Sequence, residues 1–186
     1  MKWLKWIGIV VAALIILPLV TLLVLGHRSG AGTLQASIEM NASPEQVWAW
    51  IDDGDKLKQW VSWLVEVKYP DAQKTHGVGA TRVLVMKDEN NGGMLMEIAG
   101  KCSEYTPPSK MTVQLSDDQG MFSGEQTYQL VDLGSGRTRM DVHSQFRFAQ
   151  WFAKLMEPLI TPQAEKKMVA DAARLKSLVE SKAAVR

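Results

Sequence analysis

The chain has 186 residues, of which 46% are hydrophobic and 22% charged, and its formal net charge is +1. This length holds one ordinary domain, and the absence of a basic excess argues against a nucleic-acid partner. A single cysteine, Cys102, and three histidines exclude an intrachain disulfide and disfavour a metal site, so we expect neither a metal nor another cofactor.

The first feature along the chain is a long apolar run. Residues 7–25 carry no charged side chain, and the only polar one is Thr21. About 19 helical residues at ~1.5 Å each span roughly 28 Å, close to the ~30 Å thickness of a bilayer's hydrocarbon core. The pattern predicts an N-terminal transmembrane anchor over residues 1–28.

The flanks of this run favour one orientation. Trp3 and Trp6 lie where an interfacial aromatic belt is expected, and Lys2 and Lys5 add positive charge before the run, against Arg28 after it. The sequence therefore predicts a single-pass protein of the bacterial inner (cytoplasmic) membrane with a periplasmic soluble domain. A cleaved secretory signal and a core helix of the soluble domain are the alternatives.

A short linker at residues 29–33 is expected to precede a domain over residues 34–182. The domain begins with a strand over residues 34–40. Ser43, Pro44 and Gln46 then form a capping-box pattern that predicts a helix start. A second short helical turn is expected over residues 56–60.

Downstream, the hydrophobic period changes to two. Residues 122–130 and 138–148 alternate apolar and polar side chains, which is typical of antiparallel strands with one buried face. The Gly134–Ser135–Gly136 segment predicts the hairpin turn between them. Residues 94–102 and 111–115 continue the pattern. Residues 78–87 form a further strand, but both of its alternations are apolar, so its facing is not settled.

The C-terminal part returns to helical spacing. Pro158 and Pro162 predict a short helix followed by a long one that begins near Pro162. A curved sheet with one apolar face must be covered, and the long helix is the only element large enough. The predicted fold class is α+β, a grip of sheet around helix.

Five motifs follow one another along the chain, beginning with Ala42–Trp48 and ending with Leu175–Glu180. Together they resemble the ordered motifs of the START/SRPBCC helix-grip superfamily, specifically its polyketide cyclase/dehydrase-like branch. The resemblance implies a curved antiparallel sheet of about seven strands around a long C-terminal helix, with a hydrophobic cavity between them. The superfamily includes lipid carriers, hormone receptors and cyclases, so the fold does not decide the function. The motifs are Ala42–Trp48, Trp60 with Trp63, Gly77–Gly79, Glu104–Pro108 and Leu175–Glu180.

Fourteen side chains are predicted to line the cavity and bind a ligand there. Methionines are numerous among them, and their flexible, polarizable side chains suit varied hydrophobic ligands, although they also fill ordinary cores. The predicted residues are Met94, Met96, Ile98, Met111, Val113, Phe122, Gln126, Tyr128, Met140, Val142, Ser144, Phe146, Met156 and Met168.

No catalytic residue is predicted. His143 falls on the outward set of its strand, and His76 lies in a loop. Cys102 lies among apolar strand residues, which favours an inert buried thiol over a nucleophile. Gln126 and Tyr128 are expected either to hydrogen-bond a ligand headgroup or to bond each other.

These observations predict a membrane-anchored domain that binds, and in one version transfers or senses, a hydrophobic or lipid-like ligand. A cyclase or dehydratase that uses the same cavity is the first alternative. A protein-interaction module with a closed cavity is the second.

Overall fold

The structure is a computed structural model that describes residues 2–26, 30–88 and 92–183. Four helices and seven strands follow one another in the described chain. They are α1 (Lys2–Gly26), β1 (Ala31–Met40), α2 (Pro44–Ile51), α3 (Gly54–Trp60), β2 (Leu64–Lys68), β3 (Thr81–Asp88), β4 (Met94–Thr106), β5 (Lys110–Asp117), β6 (Phe122–Gly134), β7 (Arg137–Phe148) and α4 (Trp151–Ala183).

The strands form one antiparallel sheet in the order β1-β7-β6-β5-β4-β3-β2. Helix α4 packs against β1, β7, α2 and α3. One face of the sheet is therefore covered by helices, as the alternating pattern requires. The predicted α+β helix-grip arrangement is confirmed.

The two short helices begin at capping residues. The Ser43 N–H donates to Gln46 Oε1 at 2.9 Å, and the Gln46 N–H lies 3.5 Å from Ser43 Oγ, which confirms the predicted capping box. Helix α3 begins at Gly54, two residues before its predicted start, because the Asp53 carboxylate accepts from the N–H groups of Asp55 and Lys56.

The β6–β7 hairpin follows the predicted alternation. Met140 and Val142 are buried on the inner face, whereas Asp141 between them points outward. Gly134, Ser135 and Gly136 all have positive φ angles, which a tight hairpin turn requires and which glycine adopts without steric cost. The predicted turn is confirmed.

Helix α1 has 25 residues, and every side chain the structure describes in it is exposed. Within the part of the chain that the structure describes, no helix combines the length and the apolarity needed to cross a membrane. The anchor predicted over residues 1–28 is not supported by that finding. Residues 31–33 of the predicted linker belong to β1 and pair with β7, and residues 27–29 lie outside the described residues.

The predicted break between a short and a long C-terminal helix is wrong. Helix α4 runs unbroken for 33 residues with Pro158 and Pro162 inside it. A proline removes one backbone hydrogen bond and bends a helix, but it does not end one whose freed carbonyls reach water. The neighbouring Leu159 and Gln163 are exposed, so water reaches this turn.

The core lies between the inner face of the sheet, α2 and the C-terminal half of α4. Ile51 of α2, Met111 and Met140 of the sheet and Leu175 of α4 are each 2% exposed or less. The N-terminal half of α4 differs, because Trp151 and several other apolar side chains there are exposed. The two halves of α4 therefore have different surroundings.

Candidate functional site

A cavity of about 120 Å³ lies between the inner face of the sheet and helices α2, α3 and α4. Its lining is mostly apolar, with four polar side chains, Arg82, Gln126, Tyr128 and Asp171. The apolar lining consists of Ile51, Leu57, Trp60, Val61, Trp63, Leu64, Leu84, Met86, Met111, Val113, Leu115, Met140, Val142, Met168 and Ala172.

The strand period explains why these side chains meet. Arg82, Leu84 and Met86 alternate along β3 and all reach the cavity, so this face of β3 is the inner one. The sequence left that facing open, because both faces of β3 are apolar. Only the pairing of β3 with β2 and β4 decides it.

Seven of the fourteen predicted side chains line the cavity: Met111, Val113, Gln126, Tyr128, Met140, Val142 and Met168. Ile98, Ser144 and Phe146 are buried elsewhere, and Phe122 packs on Phe146 and Phe148. A ligand-binding role for these eleven residues stays a prediction.

The prediction was wrong for the other three residues, Met94, Met96 and Met156, because their side chains are exposed. Met94 pairs with Asp88 at the far ends of β4 and β3, beyond the part of the sheet that carries the core. Met156 lies in the exposed N-terminal half of α4. A strand or helix keeps its apolar periodicity beyond the part that neighbouring elements cover. The pattern alone therefore does not show where burial ends.

Sequence reasoning missed two charged residues of the lining, Arg82 and Asp171, which are 7% and 6% exposed. Asp171 follows Met168 by three residues and so lies on the same face of α4. A charged residue inside an apolar helical stripe is the signal that locates it. Arg82 had no comparable signal, because the facing of its strand was open.

The side chains of Tyr128 and Gln126 hydrogen-bond each other, which is one of the two arrangements expected from the sequence. Gln126 Nε2 donates to the Tyr128 hydroxyl oxygen. Burial raises the pKa of Tyr128 to about 12, while the nearby Arg82 charge opposes this shift. Tyr128 is therefore a neutral hydroxyl at physiological pH.

Asp171 lies on the helix side of the cavity. Its Oδ1 accepts from the Ser62 N–H at 3.1 Å, which ties α4 to the segment after α3. Burial raises the pKa of Asp171, and that hydrogen bond together with Arg174 and Lys167 lowers it in part. A carboxyl with a raised pKa in an apolar cavity is suited to exchanging a proton.

Arg82 adjoins a second polar group at the edge of the cavity. Its Nη2 lies 3.5 Å from Asp52 Oδ1. The other carboxylate oxygen, Oδ2, accepts from the Tyr105 hydroxyl at 2.8 Å and lies 3.0 Å from His76 Nδ1. Asp52 Oδ1 is buried without a hydrogen bond. One carboxylate thus faces three donor side chains.

Cys102 has the surroundings of an inert thiol. It is buried, its Sγ lies 3.3 Å from the Glu104 carbonyl oxygen, and burial raises its pKa. His143 lies on the outer face beside Gln145. Among the described residues, no three His, Cys, Asp or Glu side chains are grouped to hold a metal ion.

Two larger depressions differ from this cavity in character. One of about 750 Å³ is open to solvent and crosses the outward side chains of the sheet, such as Lys101, Gln114 and Glu125. The other, about 410 Å³, is an open surface cleft beside Asp52 and His76. Small-molecule sites are enclosed and mainly apolar, so the cavity under α4 is the candidate site.

Comparisons with known proteins agree with this geometry. Residues 31–180 match the model of a family described as polyketide cyclase/dehydrase and lipid transport. No curated protein matches the chain.

Solved structures share the fold at low identity. The ZhuI aromatase/cyclase from Streptomyces sp. R1128 is 12% identical with a TM-score of 0.66, covering 84% of this chain and 96% of that one. Norcoclaurine synthase from Thalictrum flavum is 16% identical with a TM-score of 0.59, covering 80% and 93%. A conserved protein from Geobacillus kaustophilus is 10% identical with a TM-score of 0.65, covering 80% and 95%.

Proposed function

The chain belongs to the polyketide cyclase/dehydrase and lipid transport family, and from that premise we propose that its cavity binds a hydrophobic or lipid-like small molecule. The observation that carries the proposal is the cavity itself, which lies between the sheet and helices α2, α3 and α4 and is lined mainly by apolar side chains. Burial of an apolar ligand there is favoured by the hydrophobic effect.

The cavity is smaller than most ligand sites, so binding requires side chains to move. Its volume is about 120 Å³, whereas sites for drug-sized ligands measure roughly 300–1,000 Å³. Four of its lining residues are the methionines Met86, Met111, Met140 and Met168. Unbranched methionine side chains change rotamer readily, which allows the cavity to widen around a ligand.

The methionines also supply the test. In the full chain carried in lipid nanodiscs and labelled with ¹³C at methionine methyls, titration with octanoic acid, methyl octanoate or 1-octanol should shift the four cavity methyls. The exposed Met94, Met96 and Met156 serve as internal controls and should stay in place. If none of the three ligands shifts the cavity methyls, the proposed binding function is wrong.

Cyclase or dehydratase chemistry is the second candidate, and Asp171 is the observation that favours it. Its buried carboxyl has a raised pKa and faces the same cavity as the neutral Tyr128 hydroxyl. Such a pair suits proton transfer to or from a bound ketone. Incubation with a linear poly-β-ketone followed by chromatography and mass spectrometry distinguishes the candidates, since cyclisation changes the retention time at constant mass, dehydration removes one water, and binding alone changes neither.

We also propose that α1 holds the domain at a membrane. Residues 12–21 of α1 are all exposed, and all but Thr21 and Pro18 are aliphatic, so the apolar surface surrounds the helix instead of forming one stripe. A helix that is apolar on every side suits lipid better than a groove in a protein. From the charges of Lys2 and Lys5, we place the domain on the extracytoplasmic side of a bacterial inner membrane.

The end of the sheet that receives α1 supports this proposal. The Gly30 carbonyl accepts from the Phe148 N–H at 2.9 Å, so the chain enters β1 where β7 ends and α4 begins. Trp151, Phe152 and Leu159 of α4 are exposed near this end. The exposed apolar side chains of both helices thus lie toward one end of the domain.

Flotation with phosphatidylcholine/phosphatidylglycerol vesicles tests the membrane proposal. The full chain should float with the vesicles, also in 1 M salt. The double variant Leu14→Asp/Leu17→Asp should stay at the bottom, because two carboxylates on α1 oppose its entry into the apolar layer of the bilayer. The matched control is Val169→Asp, on an exposed site of α4, which should float. Equal flotation of the two variants would contradict the proposal.

A further inference from the structure

Arg82 is a buried cation with unused hydrogen-bonding capacity. It is 7% exposed and lines the cavity, and within the described residues its guanidinium donates no hydrogen bond. Among the described residues, the buried side-chain atom without a hydrogen bond is its neighbour Asp52 Oδ1, and the guanidinium carbon of Arg82 lies 5.9 Å from the centroid of the Tyr69 ring. The five N–H donors of a guanidinium suit a carboxylate in particular.

Asp52 does not fully account for this cation. The separation of 3.5 Å between Arg82 Nη2 and Asp52 Oδ1 exceeds the ~2.7–2.9 Å of a charge-assisted hydrogen bond. The other oxygen of Asp52 is engaged by Tyr105 and His76. Arg82 is thus held near an anion without being hydrogen-bonded to it.

Tyr128 adds a second unused donor. Its oxygen accepts from Gln126, but no described residue accepts its own hydroxyl hydrogen. Arg82 and Tyr128 line the same cavity, and the Arg82 charge lowers the pKa of Tyr128. The cavity therefore presents two donors to the same region.

We propose that the cavity selects amphiphiles whose polar end is a carboxylate, with the carboxylate held by Arg82 and the Tyr128 hydroxyl and the apolar tail among the methionines. This inference rests on the proposed binding function and names its ligand class. Asp171 also faces the cavity, from the α4 side, and is already occupied by the Ser62 N–H. Because Arg82 lies on β3, the proposed carboxylate site is on the β3 side of the cavity.

The competing explanation is that Arg82 serves only as a structural partner of Asp52. The two roles make opposite predictions for Asp52. If the pair is structural, removing either charge harms the protein alike. If Arg82 binds the ligand, removing the Asp52 charge leaves the guanidinium without a competing anion. The affinity of the cavity for a carboxylate ligand is then equal to that of wild type or higher.

The test compares octanoic acid, methyl octanoate and 1-octanol at pH 7.5, where octanoic acid is ionised, on the full chain in nanodiscs at fixed lipid concentration. Wild type should bind octanoate about tenfold more tightly than the ester or the alcohol. Arg82→Met should weaken octanoate binding about tenfold and leave ester binding unchanged. Asp52→Asn should bind octanoate at least as tightly as wild type. Thermal unfolding of each variant monitors the fold.

Three results would overturn the inference. Equal binding of acid and ester by wild type removes carboxylate selection while leaving the binding function intact. Equal losses in Arg82→Met and Asp52→Asn assign Arg82 to structure. Absence of binding by all three ligands removes the proposed function and this inference together. If Arg82→Met fails to fold, the double variant Asp52→Asn/Arg82→Met removes both charges, and it should show the same selective loss.

Discussion

Replacing Leu175 by alanine is expected to lower the free energy of unfolding by about 3 kcal/mol, within the 2–5 kcal/mol typical of fully buried leucines. Leu175 has no exposed surface and belongs to the main hydrophobic core, where the C-terminal half of α4 meets the sheet. Loss of its isopropyl group leaves a void that the rigid surroundings fill only in part. Urea unfolding followed by tryptophan fluorescence measures the change.

The matched control is Val169→Ala on the same helix. Val169 is 52% exposed, so its truncation should change stability by less than about 0.5 kcal/mol. The Leu175→Ala variant should also melt at a temperature roughly 6–12 °C lower, given about 2–4 °C per kcal/mol for a chain of this size. Similar effects of both substitutions would contradict the docking of this half of α4 on the sheet.

Replacing Val142 by phenylalanine is expected to weaken ligand binding at least tenfold while the domain stays folded. Val142 lies on β7 opposite Tyr128, is 5% exposed and lines the cavity. The phenyl ring fills space that a ligand needs, and in a site with an existing void it causes less strain than in a filled core. Titration of the ¹³C-labelled methionine methyls with octanoic acid, methyl octanoate and 1-octanol measures the ligand affinity.

His143→Phe is the control for this substitution, because His143 is the next residue on the same strand and faces outward beside Gln145. It introduces the same ring on the opposite face of the sheet and should leave affinity unchanged. Unaltered ligand affinity in Val142→Phe would show that the ligand binds elsewhere. A melting temperature lowered by tens of degrees would show that the cavity does not accept the ring.

The local features of the fold were predictable because neighbours in sequence produce them. The Ser43–Gln46 capping box, the alternation of β6 and β7 and the turn at Gly134–Gly136 depend on residues at most a few positions apart. The prediction of a helix break at Pro158 and Pro162 was wrong, because it weighed the missing backbone hydrogen bonds without the solvent available to that turn.

The sequence predicted several of the strand residues that line the cavity, but neither of the two charged residues in the lining. Met111, Tyr128 and Met140 follow from alternation, but the same alternation placed Met94 and Met96 inside, where the structure exposes them. An alternating pattern states which side chains share a face. It does not state how far along the strand a helix covers that face.

The sequence by itself determined the order of most elements, the inner faces of β6 and β7 and the helix-grip class, because period, caps and turns are short-range properties of the chain. Only the tertiary structure decided that Arg82 and Asp171 enter one cavity, that the cavity measures about 120 Å³, and that the buried apolar residues of α4 lie in its C-terminal half. Arg82 and Asp171 lie on β3 and α4, far apart along the chain. They line one cavity only when the sheet curves around the helix, and no local pattern encodes that curvature.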